Sequence, residues 1–206
     1  KVNFIFFFLV TIERFLGRED LLKKMHKYVA GKDKTPLVVW GRPGSGKSAL
    51  MAQFCKELQA SGNDKKQFVL AHVVGASPAS QSLRSLLRRV CEELQLVFEF
   101  KEELPVQLDQ LQKMFVEFLQ RTASAKGKPA DVVLVIDAVN QMHANDHAHT
   151  LGWLPTDLPK NVKIVVSTLP EEHGCLEHLR ARKPKPLELE VPALDVKDRQ
   201  VDNATT

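Results

Sequence analysis

The chain has no cysteine framework. Its three cysteines, Cys55, Cys91 and Cys175, are odd in number, far apart and without a C-x-x-C pair, which excludes a disulfide scaffold and suits reduced thiols in an intracellular, most simply cytoplasmic, protein. A long apolar run is missing as well. Phe4 to Val10 is continuously apolar, but with its neighbours it falls well short of the ~20 residues of a membrane span, and no small-residue cleavage site follows, so neither membrane insertion nor a signal peptide is expected. Charge is not concentrated either. The densest basic stretch, Arg180, Arg182, Lys183 and Lys185, is interrupted by Pro184 and Pro186 and reads as a solvated loop. With a formal charge of only +4, nucleic acid is not an expected partner. No internal repeat is visible, which excludes a solenoid.

What is present fits one domain: 206 residues with ordinary apolar and charged fractions can build a full hydrophobic core. The chain is organised around Gly41-Arg42-Pro43-Gly44-Ser45-Gly46-Lys47-Ser48, which has the form G-x-x-x-x-G-K-[ST]. It follows the apolar Leu37 to Trp40 and precedes Ala49-Leu50-Met51-Ala52, a strand before and a helix after. Glycines let successive N–H groups turn inward and the helix aims its positive end at the same point, so the main chain can hold a triphosphate. Lys47 is then expected to reach the β- and γ-phosphates, and Ser48 to give its hydroxyl to Mg²⁺.

The periodicity predicts strands alternating with helices. Helices are expected over Arg18 to Ala30, Gly46 to Ala60, from the Gly75-Ala76-Ser77-Pro78 turn to about Leu96, and from Leu104-Pro105 onward. Strands are expected at Leu37 to Trp40, Phe68 to Val74, Val132 to Ile136, Val162 to Val166 and Leu187 to Val191. Such alternation argues a mainly parallel α/β sheet with right-handed crossovers.

A phosphate loop needs a metal partner, and Asp137, ending Val132-Val133-Leu134-Val135-Ile136, fits the strand-terminal acid that supplies it. Water activation is less well provided for. Asn140 and Gln141 stand where carboxylates would be sought; as candidate catalytic residues they can position a water, but neither accepts its proton at neutral pH. His143, His147 and His149 match no tight zinc spacing and read as solvated loop residues, while Trp153-Leu154-Pro155 and Leu158-Pro159 are expected to pack that connection onto the domain.

Together these strings resemble a family. Phe15-Leu16-Gly17-Arg18-Glu19 before a helix, the phosphate loop, and VLVIDAVNQM resemble the NACHT-type module of the STAND class of P-loop NTPases. His72 to Pro78, Leu86 to Cys91, Leu151 to Pro155 and Ile164 to Pro170 are similar to the animal proteins that join this module to tetratricopeptide or WD repeats, the nephrocystin and telomerase-associated types. The resemblance implies a three-layer α/β/α fold with a five-stranded sheet in the order 5-1-4-3-2, and ATP or ADP bound with Mg²⁺. It also implies Leu16, Gly17 and Arg18 near the adenine, Asp137 on the metal through water, and a signalling switch or assembly module. Residues 1–14 are expected to be an extension outside it, 15–194 the nucleotide-binding domain and 195–206 the start of a lid segment. Starting with Lys, the chain reads as a fragment or alternative start. Flanking domains would supply protein partners and nucleotide-controlled self-association. Two departures, the amides at Asn140 and Gln141 and Ser167-Thr168-Leu169 where many relatives have an arginine, point to slow or absent hydrolysis. The alternative expectation is a non-hydrolysing scaffold acting through protein contacts.

Overall fold

The computed structural model describes residues 18–61, 67–125 and 127–193. The readings placed on the apolar run from Phe4, on Leu16 and Gly17 and on the 195–206 segment lie outside these residues. Five strands form one sheet: β1 (Leu37–Trp40), β2 (Gln67–Val73), β3 (Asp131–Asp137), β4 (Val162–Thr168) and β5 (Leu187–Glu190). Every pairing is parallel and the order is β2-β3-β4-β1-β5, the expected order read from the other edge. The inner strands are apolar throughout because both of their faces are covered. Val38, Leu134, Ile136, Ile164 and Val166 point into one helical layer, and Leu37, Val39, Val133, Val135 and Val165 into the other.

Helices α1 (Glu19–Ala30) and α2 (Lys47–Ser61) cover one face; α3 (Leu83–Phe98), α4 (Leu108–Thr122) and the short α5 (Cys175–Arg180) cover the other. Each long helix buries a stripe at helical spacing. On α3 it is Leu83, Leu86, Leu87, Val90, Cys91, Leu94 and Phe98, and burying each such aliphatic or aromatic side chain contributes about 1.5–3 kcal/mol. The three cysteines are free and buried; burial pushes the Cys91 thiol up to about 12 and the Cys175 thiol up to about 11. Among the described residues, no helix is long and apolar enough to cross a membrane.

Three expectations need correction. Helix α4 does not open at Leu104-Pro105: its first turn is closed by Leu111 N–H on the Gln107 carbonyl at 2.9 Å. The 101–107 segment is instead held by side chains of its neighbours. Arg84 donates to the Val106 carbonyl, Gln95 to that of Glu102, and Arg121 pairs with the Glu102 carboxylate while lying 4.3 Å from the Phe100 ring centre. Helix α3 starts later than the Pro78 turn, because a 3-10 turn at Pro78–Gln81, closed by reciprocal Ser77 and Ser80 bonds, comes first. Its own cap is Ser82, which accepts from Ser85 N–H at 3.3 Å, and it ends on Phe98. Finally, Arg182 is not a solvated loop residue. Its half-buried guanidinium donates to the Leu154 carbonyl at 2.8 Å and to that of Leu151, clamping the connection that Trp153, Leu154 and Leu158 bury as expected.

Phe118 is fully buried and packs on Phe100, ring centres 4.7 Å apart, far along the chain from the phosphate loop. Phe118→Ala is expected to lower unfolding stability by about 3–5 kcal/mol, read as a reduced urea midpoint at unchanged slope; a loss under about 1 kcal/mol would contradict this packing.

Candidate functional site

At the C-terminal edge of the sheet the ends of β1, β4 and β3 lie side by side, so the Gly41–Ser48 loop, Ser167-Thr168 and Asp137 meet although they are far apart in the chain. The loop turns as its glycines require. Gly44 and Gly46 adopt φ of +72° and +84°, and a Cβ on either would meet nothing within 4 Å, so their neighbourhood is an open cradle for an anion. Gly41 serves differently. A Cβ there would collide with the Val191 carbonyl, so this glycine lets the chain leaving β5 pass close by. Ser45 is buried, with its N–H on the Arg42 carbonyl at 3.2 Å, and Leu50 N–H reaches Gly46 at 2.9 Å to start α2. Arg42, Pro43 and Gly44 are exposed.

Lys47 folds over its own loop. Its Nζ donates to the Gly41 and Arg42 carbonyls at 2.7 and 3.0 Å. Burial lowers the pKa of its ammonium, while the negative charges of Asp137 and Glu172 oppose that shift. Asp137 is only 2% exposed. Burial pushes its carboxyl above the usual carboxylate range, and bonds from Ser167 and Ser48 together with the Lys47 charge pull it back. A hydroxyl and a carboxylate side by side are hard oxygen donors, the set that suits Mg²⁺ rather than a thiolate- or imidazole-loving metal. The residues present therefore fit a phosphate held by the loop and a metal held by Ser48 and Asp137.

Residues outside the phosphate loop and Asp137 complete the arrangement. Ser167, fully buried, donates to Asp137 Oδ1 and accepts Ala138 N–H at 2.8 Å, fixing the carboxylate; polar residues closing an apolar strand were its only signal. Asn140 is 2% exposed, its Nδ2 donating to Glu172 Oε2 at 2.8 Å and its Oδ1 accepting Leu169 N–H at 3.3 Å. Glu172 lies on the β4–α5 loop and, with Arg42, Pro43, Leu169, Pro170 and Glu171, lines a cavity of 340 Å³. It is separated from Asp137 in the chain by the whole of β4 and lies in no recognised motif. Gln141 is exposed and lies over Gly75, beyond β2. His149 is not solvated as expected: its ring stacks on His173 at 4.2 Å with 2° between planes, and burial lowers its pKa. Arg18 donates to the Pro192 carbonyl at 2.9 Å, next to the residue that abuts Gly41, so the start of α1 is tied to the loop end of β1.

A family model described as an AAA ATPase domain matches residues 14–166. The chain belongs to the AAA ATPase domain family. It is 34% identical over 171 residues to NACHT and WD repeat domain-containing protein 2 of Mus musculus, covering 78% of this chain and 10% of the relative. With nephrocystin-3 of Homo sapiens it shares 28% over 154 residues, 74% of this chain and 11% of the relative. Both bear out the NACHT-type STAND resemblance, and the chain spans about a tenth of their length. Among solved structures, the ORC1 protein of Aeropyrum pernix in complex with DNA matches with a TM-score of 0.61 at 17% identity, over 91% of this chain and 48% of that one, a likeness of fold. The AAA ATPase family, the phosphate loop and the shared fold together make this a nucleotide-binding module.

Raising the Asp137 pKa on folding has a definite sign. The native chain binds that proton more tightly than the unfolded chain, so stability falls as pH rises from the ordinary carboxylate value through the raised one. Asp137→Asn is expected to raise the melting midpoint of nucleotide-free protein at pH 8, with the gain shrinking as pH falls below the ordinary carboxylate value. A lower midpoint across that range in a pH series of thermal melts would contradict the buried-acid account.

Proposed function

We propose that the chain is the ATP- and ADP-binding switch of a larger intracellular protein, turning nucleotide over slowly. The observation that carries this reading is the convergence of Lys47, Ser48 and the buried Asp137 at one edge of the sheet. In it, the Gly41–Ser48 loop cradles the phosphates with main-chain N–H groups, those of Gly44 and Gly46 foremost, and Lys47 exchanges its loop carbonyls for phosphate oxygens. Ser48 and Asp137 would hold Mg²⁺. The metal would offset the negative charge of the phosphates. Arg18, with Leu16 and Gly17 beside it in sequence, lies toward the adenine.

A switch requires that the ATP and ADP states differ in affinity for something else, since a ligand with equal affinity for both would shift nothing. The bond from Arg18 to Pro192 and the contact of Val191 with Gly41 support coupling between the phosphate loop and the chain on both sides of the domain, taken as 15–194. Flanking lid and repeat segments are the natural recipients, with protein partners and self-association as the output. Weak net charge argues against nucleic acid. The occupied amide of Asn140 favours a second reading, a scaffold that does not hydrolyse.

Mg·ATP at 100 times its dissociation constant is expected to stabilise the full-length protein by ~2.7 kcal/mol, or roughly 5–11 °C in midpoint for a domain of this size. Lys47→Ala should abolish the shift. Absence of any shift, or one that survives Lys47→Ala, overturns the binding claim.

A further inference from the structure

We infer that Glu172 is the group that takes the proton from the attacking water, and that Asn140 is the positioning residue that aims it. This rests on the nucleotide-site reading above. The expected place for such an acid, just after Asp137, holds Ala138 and Val139 and then amides. Asp137 itself is occupied by Ser167 and Ser48. An acid is nevertheless delivered to the same edge of the sheet from another strand: Glu172 follows β4, the strand between Asp137 and the phosphate loop. It shares a cavity with Arg42 and Pro43, and its charge is felt at Lys47.

Its orientation is specified. Asn140 is buried, and its two ends have different partners: a carboxylate that only accepts and a Leu169 N–H that only donates. Reversing the amide would set oxygen against oxygen and N–H against N–H, so a single orientation is compatible with both. The carboxylate is thereby gripped by Oε2, leaving Oε1 to accept from a water. The loop beyond is turned by His173 and Gly174 at φ of +54° and +66°, and the His149 ring lies flat on His173. A non-glycine residue at positive φ persists only where its surroundings enforce it. Here the stacked ring holds His173, and Asn140 holds both Leu169 and the Glu172 carboxylate.

The step balances. The water oxygen bonds to the γ-phosphorus, the bond from that phosphorus to the β,γ-bridging oxygen breaks with its electron pair leaving on ADP, and the water proton passes to Glu172 and then to solvent. Asn140 cannot serve as base, since an amide does not accept that proton at neutral pH. Held through one amide on an exposed loop, Glu172 acts only while the loop keeps that bond, which makes slow, gated turnover the expected behaviour.

The test uses full-length protein and three readouts: single-turnover hydrolysis of Mg·ATP, affinity for Mg·ADP, and affinity for Mg·ADP with aluminium fluoride, a mimic of the phosphoryl group in transit. Glu172→Gln should cut the rate about 100-fold or more, the range of general-base contributions. It should also weaken the aluminium fluoride complex about tenfold, as loss of a transition-state contact does, while Mg·ADP affinity changes less than about threefold. Asn140→Ala should act in the same direction and add nothing in the Glu172→Gln background, the signature of residues working as one unit. Exposed Glu177 on α5 is the control: Glu177→Gln should leave all three readouts unchanged. Unaltered rate and aluminium fluoride affinity in Glu172→Gln, or additive effects of the two changes, overturns the inference. Wild-type protein that binds Mg·ADP without hydrolysing ATP overturns it too, leaving the binding reading intact; protein that binds no nucleotide removes both.

Discussion

A carboxylate closed off from water has to be satisfied by whatever surrounds it, and at Asp137 that requirement draws three strand ends together. The acid terminates β3, Ser167 from β4 donates to it, and Ser48 with the Lys47 charge reaches it from the loop after β1. The parallel order, with β4 between β3 and β1, is what lets residues so distant in sequence share one carboxylate. Even so, burial outweighs these partners and keeps the pKa raised. An acid retained at a cost to the folded state fits a functional site better than a stabilising one.

Much of this architecture was legible because it follows from local rules. Runs such as Val132 to Ile136 can only be strands covered on both faces, and the limits of β1 come out as read, Leu37 to Trp40. The phosphate loop was legible as a motif, though its first glycine turned out to serve close packing against Val191 rather than positive φ. Element starts were harder. Proline at 105 has the right chemistry for a first helical turn, but Arg84 and Gln95 take backbone carbonyls of this segment and Arg121 takes the Glu102 carboxylate, and such tertiary bonds leave no periodic trace.

The same limit applies at the site. Asn140 read as an isolated amide in place of an acid, whereas its meaning lies in the residue it holds 32 positions later. Glu172 lies in no recognised motif, and the exposed-looking His149 and Arg182 gain their roles from rings and carbonyls brought in by folding. Residues that bind through the main chain could be found by spacing; those that act through a partner side chain could not. The switch reading draws on both kinds, since a loop that merely holds phosphate reports nothing until neighbouring segments respond to it.

The central claim, a triphosphate held by Gly41–Ser48 with a metal at Ser48 and Asp137, is tested most directly by calorimetric titration of ATP into the full-length protein with Mg²⁺ and again with chelator. The account predicts saturable binding that weakens by at least about tenfold, or 1.4 kcal/mol, when the metal is removed. Equal affinity under both conditions, or no binding in either, would contradict it.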